Sequence, residues 1–324
     1  MKAQNVSIVG LSRLGASIGL AVQQSSLDIQ VAGHDRDPDV AEIVRGMGAV
    51  DKVEADVRSL AAKADILLLA VPVSELEPLL SVIGDVVQPH ALVLDLSNLK
   101  GTGLKLAKQY LQAGHYVGAS AVFAADWLVD GRTEVEAASG DAFKNSLFCL
   151  MPSPQADPKA VETAVQFGKL LGATPYFVDP LEYDGLLTGV QTVPGLLAAA
   201  LFQSVTQEAG WRDMLRFAGV PFAMSTQPLA NGTDIAAEAA ANKIATLRWL
   251  DALMASLKGF RRQVYDDDTE IMTALLENLF TARAEWLSSR EENDWVEGHV
   301  PEIERDSWST YFLGALGNRS KKDK

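Results

Sequence analysis

The sequence predicts an α/β chain in which a doubly wound parallel sheet is followed by an all-helical region. Three observations carry this. Strand-like and helix-like segments alternate from Asn5 to Val178, the middle strands are continuous apolar runs, and the strand signal stops at Pro180. Strands that are apolar throughout, rather than alternately, are covered on both faces, as the strands of a parallel sheet are.

Taken in order, Val6, Ile8 and Val9 form a β-branched run that meets Gly10, and a helical pattern begins at about Leu14. Gly10 and Gly15 stand at the first and third glycines of G-x-G-x-x-G, with Ser12 in the middle position. The first amides of a helix lack intrahelical partners and carry partial positive charge, so they suit a pyrophosphate. Glycine allows the close backbone approach, and the Ser12 hydroxyl is small enough to reach a phosphate. Ile29 to His34 reads as a second strand, and Asp35 follows directly, where the fingerprint expects a carboxylate for the ribose hydroxyls. A carboxylate repels the 2′-phosphate of NADP, so Asp35 favours NAD. Arg36 and Arg13 leave NADP open, since a guanidinium there pairs with that phosphate or lies against adenine. The expected cofactor set is Gly10, Ser12, Arg13, Leu14, Gly15, Asp35, Arg36, Val71 and Pro72, within a dinucleotide-binding Rossmann arrangement.

Beyond this turn, Pro38 to Met47 reads as a helix, Ala64 to Val71 as a buried strand, Ser74 to Val87 as a helix and Ala91 to Leu96 as another buried strand. His115 to Gly118 and Ser146 to Met151 supply later strands, followed by a helix from Pro158 to Leu171 and a strand from Pro175 to Val178. Leu181 to Gln207, Ala236 to Val264 and Thr269 to Ser288 carry the helical pattern of the second region. The segment between Phe217 and Asp234 reads as a loop, more commonly a plain surface insertion than a cover that brings its Met and Phe residues over the pocket. The expected partition is residues 1–179, 180–317 and a frayed tail at 318–324. Apolar, Ala-rich helices of this length call for a partner surface, so a homodimer built on them is expected.

Composition narrows the classes. The chain has 324 residues, 48% of them hydrophobic, and a net charge of −14, which argues against nucleic acid or an anionic membrane as partner. No apolar run is read as long enough to span a bilayer, and the first strand begins almost at once, so neither a membrane span nor a signal peptide is expected. The expectation is a cytoplasmic protein with a small-molecule carboxylate substrate and no metal site. The single cysteine, Cys149, lies in an apolar strand and reads as a buried, inert thiol.

Five segments together carry a likeness: Gly10 to Gly19 (GLSRLGASIG), Gly33 to Asp51, Ala64 to Val73 (ADILLLAVPV), Asp95 to Gly101 (DLSNLKG) and Trp211 to Ala218 (WRDMLRFA). In this the chain resembles the prephenate and arogenate dehydrogenase family. The resemblance implies a dinucleotide domain with a helical dimerisation domain, and a reaction in which a hydride leaves the ring carbon bearing the hydroxyl while the ring loses CO₂ and becomes aromatic. It implies a histidine that takes the hydroxyl proton; here Ser120 stands at that position, within Gly118 to Asp126. Imidazole general-base catalysis is typically worth ~10²–10⁴-fold, and a serine hydroxyl does not replace it near neutral pH. The family's serine before its Val-Lys pair is Asn98 here, and its S-H-L-P-H segment is Gln191 to Gly195 (QTVPG), so two more histidines are absent. His115 lies on the incoming strand and does not take over without a register shift.

By the same resemblance Arg216 binds a substrate carboxylate through bidentate pairing, and Arg212, Asn242 and Lys243 also match. The candidate catalytic residues are therefore Ser120, Asn98 and Lys100, and the candidate substrate-binding residues Arg216, Arg212 and Thr192. The reading adopted is an NAD(P)-dependent oxidoreductase, with prephenate or arogenate as leading substrate. A same-fold enzyme for a different carboxylate and a non-catalytic dinucleotide-binding homologue are the alternatives.

Overall fold

The structure is a computed structural model, and it describes residues 4–128, 130–153 and 155–293, without the side chains of 231–233. The expected tail at 318–324 lies outside the described residues. The chain divides into two compact units, Met1–Arg262 and Gln263–Lys324.

The first unit holds an eight-stranded sheet: β1 (Asn5–Val9), β2 (Gln30–His34), β3 (Lys52–Val53), β4 (Ile66–Leu69), β5 (Leu92–Asp95), β6 (His115–Ala121), β7 (Leu147–Pro152) and β8 (Thr174–Phe177). Their spatial order is β3-β2-β1-β4-β5-β6-β7-β8. Every neighbouring pair is parallel except β6 and β7, which run antiparallel with Ser120 opposite Cys149. Intervening helices are α1 (Arg13–Gln23), α2 (Pro38–Gly46), α3 (Val57–Ala62), α4 (Val73–Ile83), α5 (Lys100–Tyr110), α6 (Ala125–Leu128) and α7 (Pro158–Leu170).

The apolar runs are explained by two cores, one on each sheet face. In β4, Ile66 and Leu68 join the core with Ile8, Ile18 and Phe148, while Leu67 and Leu69 point into the other with Leu76 and Leu80. Alternate residues of a strand face opposite sides, so a run apolar throughout serves both. Helix starts are equally local. Asp37, Asp157 and Asp179 each precede a proline and accept main-chain amides of the turn that follows. Aspartate at the N-cap and proline at the first helical position satisfy or remove orphan donors.

From Pro180 the chain is helical: α8 (Pro180–Leu187), a wide turn of π type (Thr188–Thr192), α9 (Val193–Thr206), α10 (Trp211–Phe217), α11 (Val220–Thr226), a 3₁₀ turn (Gln227–Asn231), α12 (Gly232–Ala241), α13 (Lys243–Tyr265) and α14 (Thr269–Glu292). Two sequence expectations change here, while Leu181 to Gln207 is the long helical stretch expected, with a wide turn inside it. Pro194 has no N–H and crowds the carbonyl four residues before it, and the wide turn next to it accommodates that. The segment between Phe217 and Asp234 is not a loop but is largely α11 and the 3₁₀ turn. Pro221 starts α11 at its first turn, and Met224 packs against Gly131 rather than lining the cleft described below. Finally, Pro180–Thr206 is a 27-residue helical stretch containing an 18-residue window of mean hydropathy 1.5, more apolar than expected and sufficient by length and composition to cross a membrane. Inside it the buried residues Asp184, Thr188 and Thr192 make the polar contacts described next.

Candidate active site

An open cleft of about 400 Å³ lies at the carboxyl ends of β1, β2 and β4, lined by Gly10, Ser12, Asp35, Arg36, Val71 and Pro72 among others. Between β1 and β4 the strand order reverses direction, the place where open α/β sheets hold ligands. Gly10 has φ +92°, and a Cβ there would sit 2.3 Å from the Ala70 carbonyl oxygen. A Cβ on Gly15 would lie 2.0 Å from the Gly10 carbonyl oxygen, so both positions exclude any side chain. Within α1 the first backbone bond runs from Ala16 N–H to Ser12, which leaves the amides of Arg13, Leu14 and Gly15 without intrahelical acceptors. Ser12 is exposed and its hydroxyl makes no capping bond. These features fit a dinucleotide: a glycine cradle, free helix-terminal amides and an uncommitted hydroxyl.

Asp35 sits at the end of β2 with one oxygen accepting from Leu11 N–H (2.7 Å) and the other from Asp37 N–H (2.9 Å). Its carboxylate is thereby tied to the glycine turn itself. Arg36 is exposed and ion-pairs with Glu75 across the cleft mouth. Arg13, by contrast, turns away from the cleft. It is buried, bonds both oxygens of Asp130 and the carbonyls of Arg132 and Ala137, and lies over the rings of Phe123 and Trp127. Its guanidinium is committed to the 123–137 segment.

A second cluster forms beside the cleft, past the ends of β5 and β6. Lys100 is fully buried and donates from Nζ to the carbonyls of Asp95 (2.9 Å) and Ser97, with the Tyr183 ring 5.8 Å away. Burial pushes its ammonium down, opposed by the carboxylates of Asp95 and Asp184. Asp184 caps α5, accepting from Lys100 N–H (2.7 Å) and Gly101 N–H (2.8 Å); burial pushes its carboxyl up, and those two amides pull it back. Asp95, fully buried, accepts from Ser97 N–H and from the Tyr116 hydroxyl.

Ser120 lies near the end of β6, with its hydroxyl beside the Tyr183 phenol of α8. Burial drives the Tyr183 phenol far up, with the neighbouring Ser120 hydroxyl acting the other way, so the phenol keeps its proton at neutral pH. His115 opens β6 opposite Leu92, at the other end of the strand and roughly 16 Å from Ser120 at the normal strand rise. Asn98 donates to Glu238 Oε1 (2.5 Å), and Thr192, on the wide turn, donates to Glu238 Oε2 (2.8 Å). At Gly195 a Cβ would lie 2.5 Å from Ile235, so α12 fills the space of one absent histidine with Ile235 and meets the other's replacement, Thr192, with Glu238. The start of α12 is tied to α4 by Ser74 donating to Asp234 (2.8 Å).

The structure therefore brings Ser120, Asn98, Lys100 and Thr192 to one side of the sheet ends. It places Arg216 elsewhere, exposed on α10 and paired with Asp213 (2.9 Å), while Arg212 stacks over Trp211. Asn242 bonds the Asp184 carbonyl and Thr188, clamping the α8 end, and Lys243 is exposed. Sequence reasoning missed Tyr183, Asp184 and Glu238. The only signal for Tyr183 and Asp184 was their place next to the predicted boundary at residues 179–180, and Glu238 had none.

Residues 18–176 match the family model for the prephenate dehydrogenase nucleotide-binding domain. Over these residues, just under half of its length, the chain is similar to the prephenate dehydrogenases. It is 24% identical over 246 residues to the prephenate dehydrogenase of Bacillus subtilis, covering 71% of this chain and 64% of that one. With the prephenate dehydrogenase of Lactococcus lactis subsp. cremoris it shares 26% over 250 residues, 72% of this chain and 67% of the relative. The match thus spans about two thirds of these relatives. The fold is that of the prephenate dehydrogenase from A. aeolicus solved with hydroxyphenyl propionate and NAD⁺, at TM-score 0.74, 18% identity, 88% of this chain and 99% of that one.

Proposed function

We propose that this chain is an NAD(P)-dependent dehydrogenase that oxidatively decarboxylates prephenate, arogenate or a closely related cyclic carboxylate. The carrying observation is the cleft, where Gly10 and Gly15 exclude side chains, the α1 amides are free and Asp35 closes β2. NAD is favoured over NADP, because Asp35 faces the ribose position and Arg13 is already committed to Asp130. Arg36 is the cleft-lining cation left to oppose this, and Glu75 holds it.

Gly10, Ser12, Leu14, Gly15, Val71 and Pro72 would hold the cofactor, which when bound supplies a hydride acceptor. Ser120 and Tyr183 form a pair of hydroxyls that receives the substrate hydroxyl and passes its proton towards solvent as the carbon–oxygen double bond forms. Lys100 keeps the turn after β5 in place and puts a positive field beside Tyr183, and Asn98 and Thr192 shape the wall. Arg216 and Arg212 are proposed to reach the substrate carboxylate. That assignment fits an assembly in which they approach a partner subunit's site.

A homodimer accords with the exposed apolar residues of the helical part, such as Val190 (73% exposed), Phe217 (84%) and Ile244 (86%). We also propose a cytoplasmic location and a division of labour at residue 179, with cofactor on the sheet side and pairing on the helical side. The test is an assay of purified protein with prephenate or arogenate and NAD⁺ or NADP⁺, following reduced nicotinamide. Turnover is expected with NAD⁺. Tight cofactor binding without turnover of either substrate would leave the two alternatives, a different carboxylate or a non-catalytic homologue.

A further inference from the structure

We infer that Glu238 makes this site selective for a substrate carrying a protonated amine, an α-amino acid rather than its keto or deaminated counterpart. The inference rests on the dehydrogenase reading above and deepens it. Glu238 is 4% exposed, and the partners of its two oxygens, Asn98 and Thr192, are both neutral. Among the described residues no cation pairs with it. A carboxylate accepts about four hydrogen bonds, so two sites remain unused. A buried charge without a counter-charge is costly, and a ligand that brings the counter-charge recovers that cost on binding.

The surroundings point the same way. The nearby buried cation, Lys100, is already opposed by two buried carboxylates, Asp95 and Asp184, and Glu238 adds a third buried carboxylate to this part of the molecule. Lys100 is turned to main-chain carbonyls and so offers little to an anionic group at this wall. A polyanion gains little from such a wall, whereas an ammonium gains directly. Next to Asn98, Ser97 Oγ is buried without a hydrogen-bond partner, an acceptor still open on the same turn. The location is also right. Ser97 and Asn98 follow β5, whose neighbour β4 leads into the cleft residues Val71 and Pro72, and α12 is anchored to α4 at the cleft edge.

The test uses the full chain with two ligands that share ring, hydroxyl and carboxylate and differ in the amine: L-tyrosine and 3-(4-hydroxyphenyl)propionate. NAD⁺ binding is titrated first by calorimetry, and its absence would strike the dehydrogenase reading rather than this one. Each ligand is then titrated with NAD⁺ present. L-tyrosine is expected to bind about 10-fold tighter or more, the worth of one charge-assisted hydrogen bond. Glu238→Gln, matched in shape, should reduce that gap to about 2-fold while the affinity for the propionate stays unchanged. Equal or tighter binding of the propionate, binding of neither, or a gap that survives the substitution would each overturn the proposal. The comparison of the two ligands on the wild-type chain decides the matter however the variant folds.

Discussion

The cofactor cleft and the cluster past β5 and β6 lie side by side but are built from different material. The cleft is made by backbone: two glycines, free amides and one carboxylate, all within Gly10 to Asp35 apart from the Ala70 wall. The cluster is made by side chains from β5, β6, α5, α8, the wide turn and α12, up to 140 residues apart. A backbone cradle tolerates almost no change, because a Cβ meets a carbonyl that does not move. A side-chain cluster tolerates coordinated change. Thr192 and Asn98 share Glu238, and Gly195 has admitted Ile235. The contrast explains how one half of the site keeps its pattern while the other lacks three expected histidines.

The harshest way to break the comparison is Gly15→Val, which drives a side chain into the Gly10 carbonyl. NAD⁺ binding should be lost outright in calorimetry, and retention of wild-type affinity would contradict the rigid-cradle account. Lys100→Met should follow, because two buried carbonyls and nearby carboxylates lose their cation; about 3–5 kcal/mol of stability is expected to disappear from denaturant unfolding. Ser120→His probes the adaptable half. If the rest of the site still suits the family reaction, restored general-base catalysis should raise kcat for prephenate or arogenate by ~10²-fold or more. An unchanged kcat would mean that the altered wall, not the missing base, limits turnover.

Smaller effects sharpen the picture. Arg216→Ala should leave the melting temperature nearly unchanged, since its Asp213 pair is exposed, yet weaken a carboxylate ligand by about 10-fold. Undiminished binding would remove Arg216 as an anchor. The smallest effect belongs to the amino ends of the strands, opposite the cleft, where Asp65 leads into β4. Burial pushes the Asp65 carboxyl up, but the amides of Gln4 and Asn5 and His90 outweigh it and hold it below the usual carboxylate range. Its stabilisation is therefore present above the unfolded pKa of about 3.9 and fades as pH falls through the lower folded value. Asp65→Asn should cost about 1 kcal/mol at pH 7, with the two melting curves converging below about pH 4. A constant gap at all pH values would assign the effect to packing.

What the sequence alone determined was whatever depends on neighbours in the chain. The sheet class, the glycine turn, Asp35 and the aspartate–proline helix starts all follow from local sterics, capping and apolar periodicity. The loop expected between Phe217 and Asp234 failed because its Pro and Gly residues sit at helix starts rather than inside a turn. Only the tertiary structure decided what meets what. It turned Arg13 from the cleft to Asp130, set Ser120 beside Tyr183, and brought Glu238 against Asn98 and Thr192. Those contacts join residues far apart in the chain whose side chains meet only once the strands are ordered and α12 is tied to α4. No local spacing encodes such a meeting, and the chemistry of the substrate half depends on it.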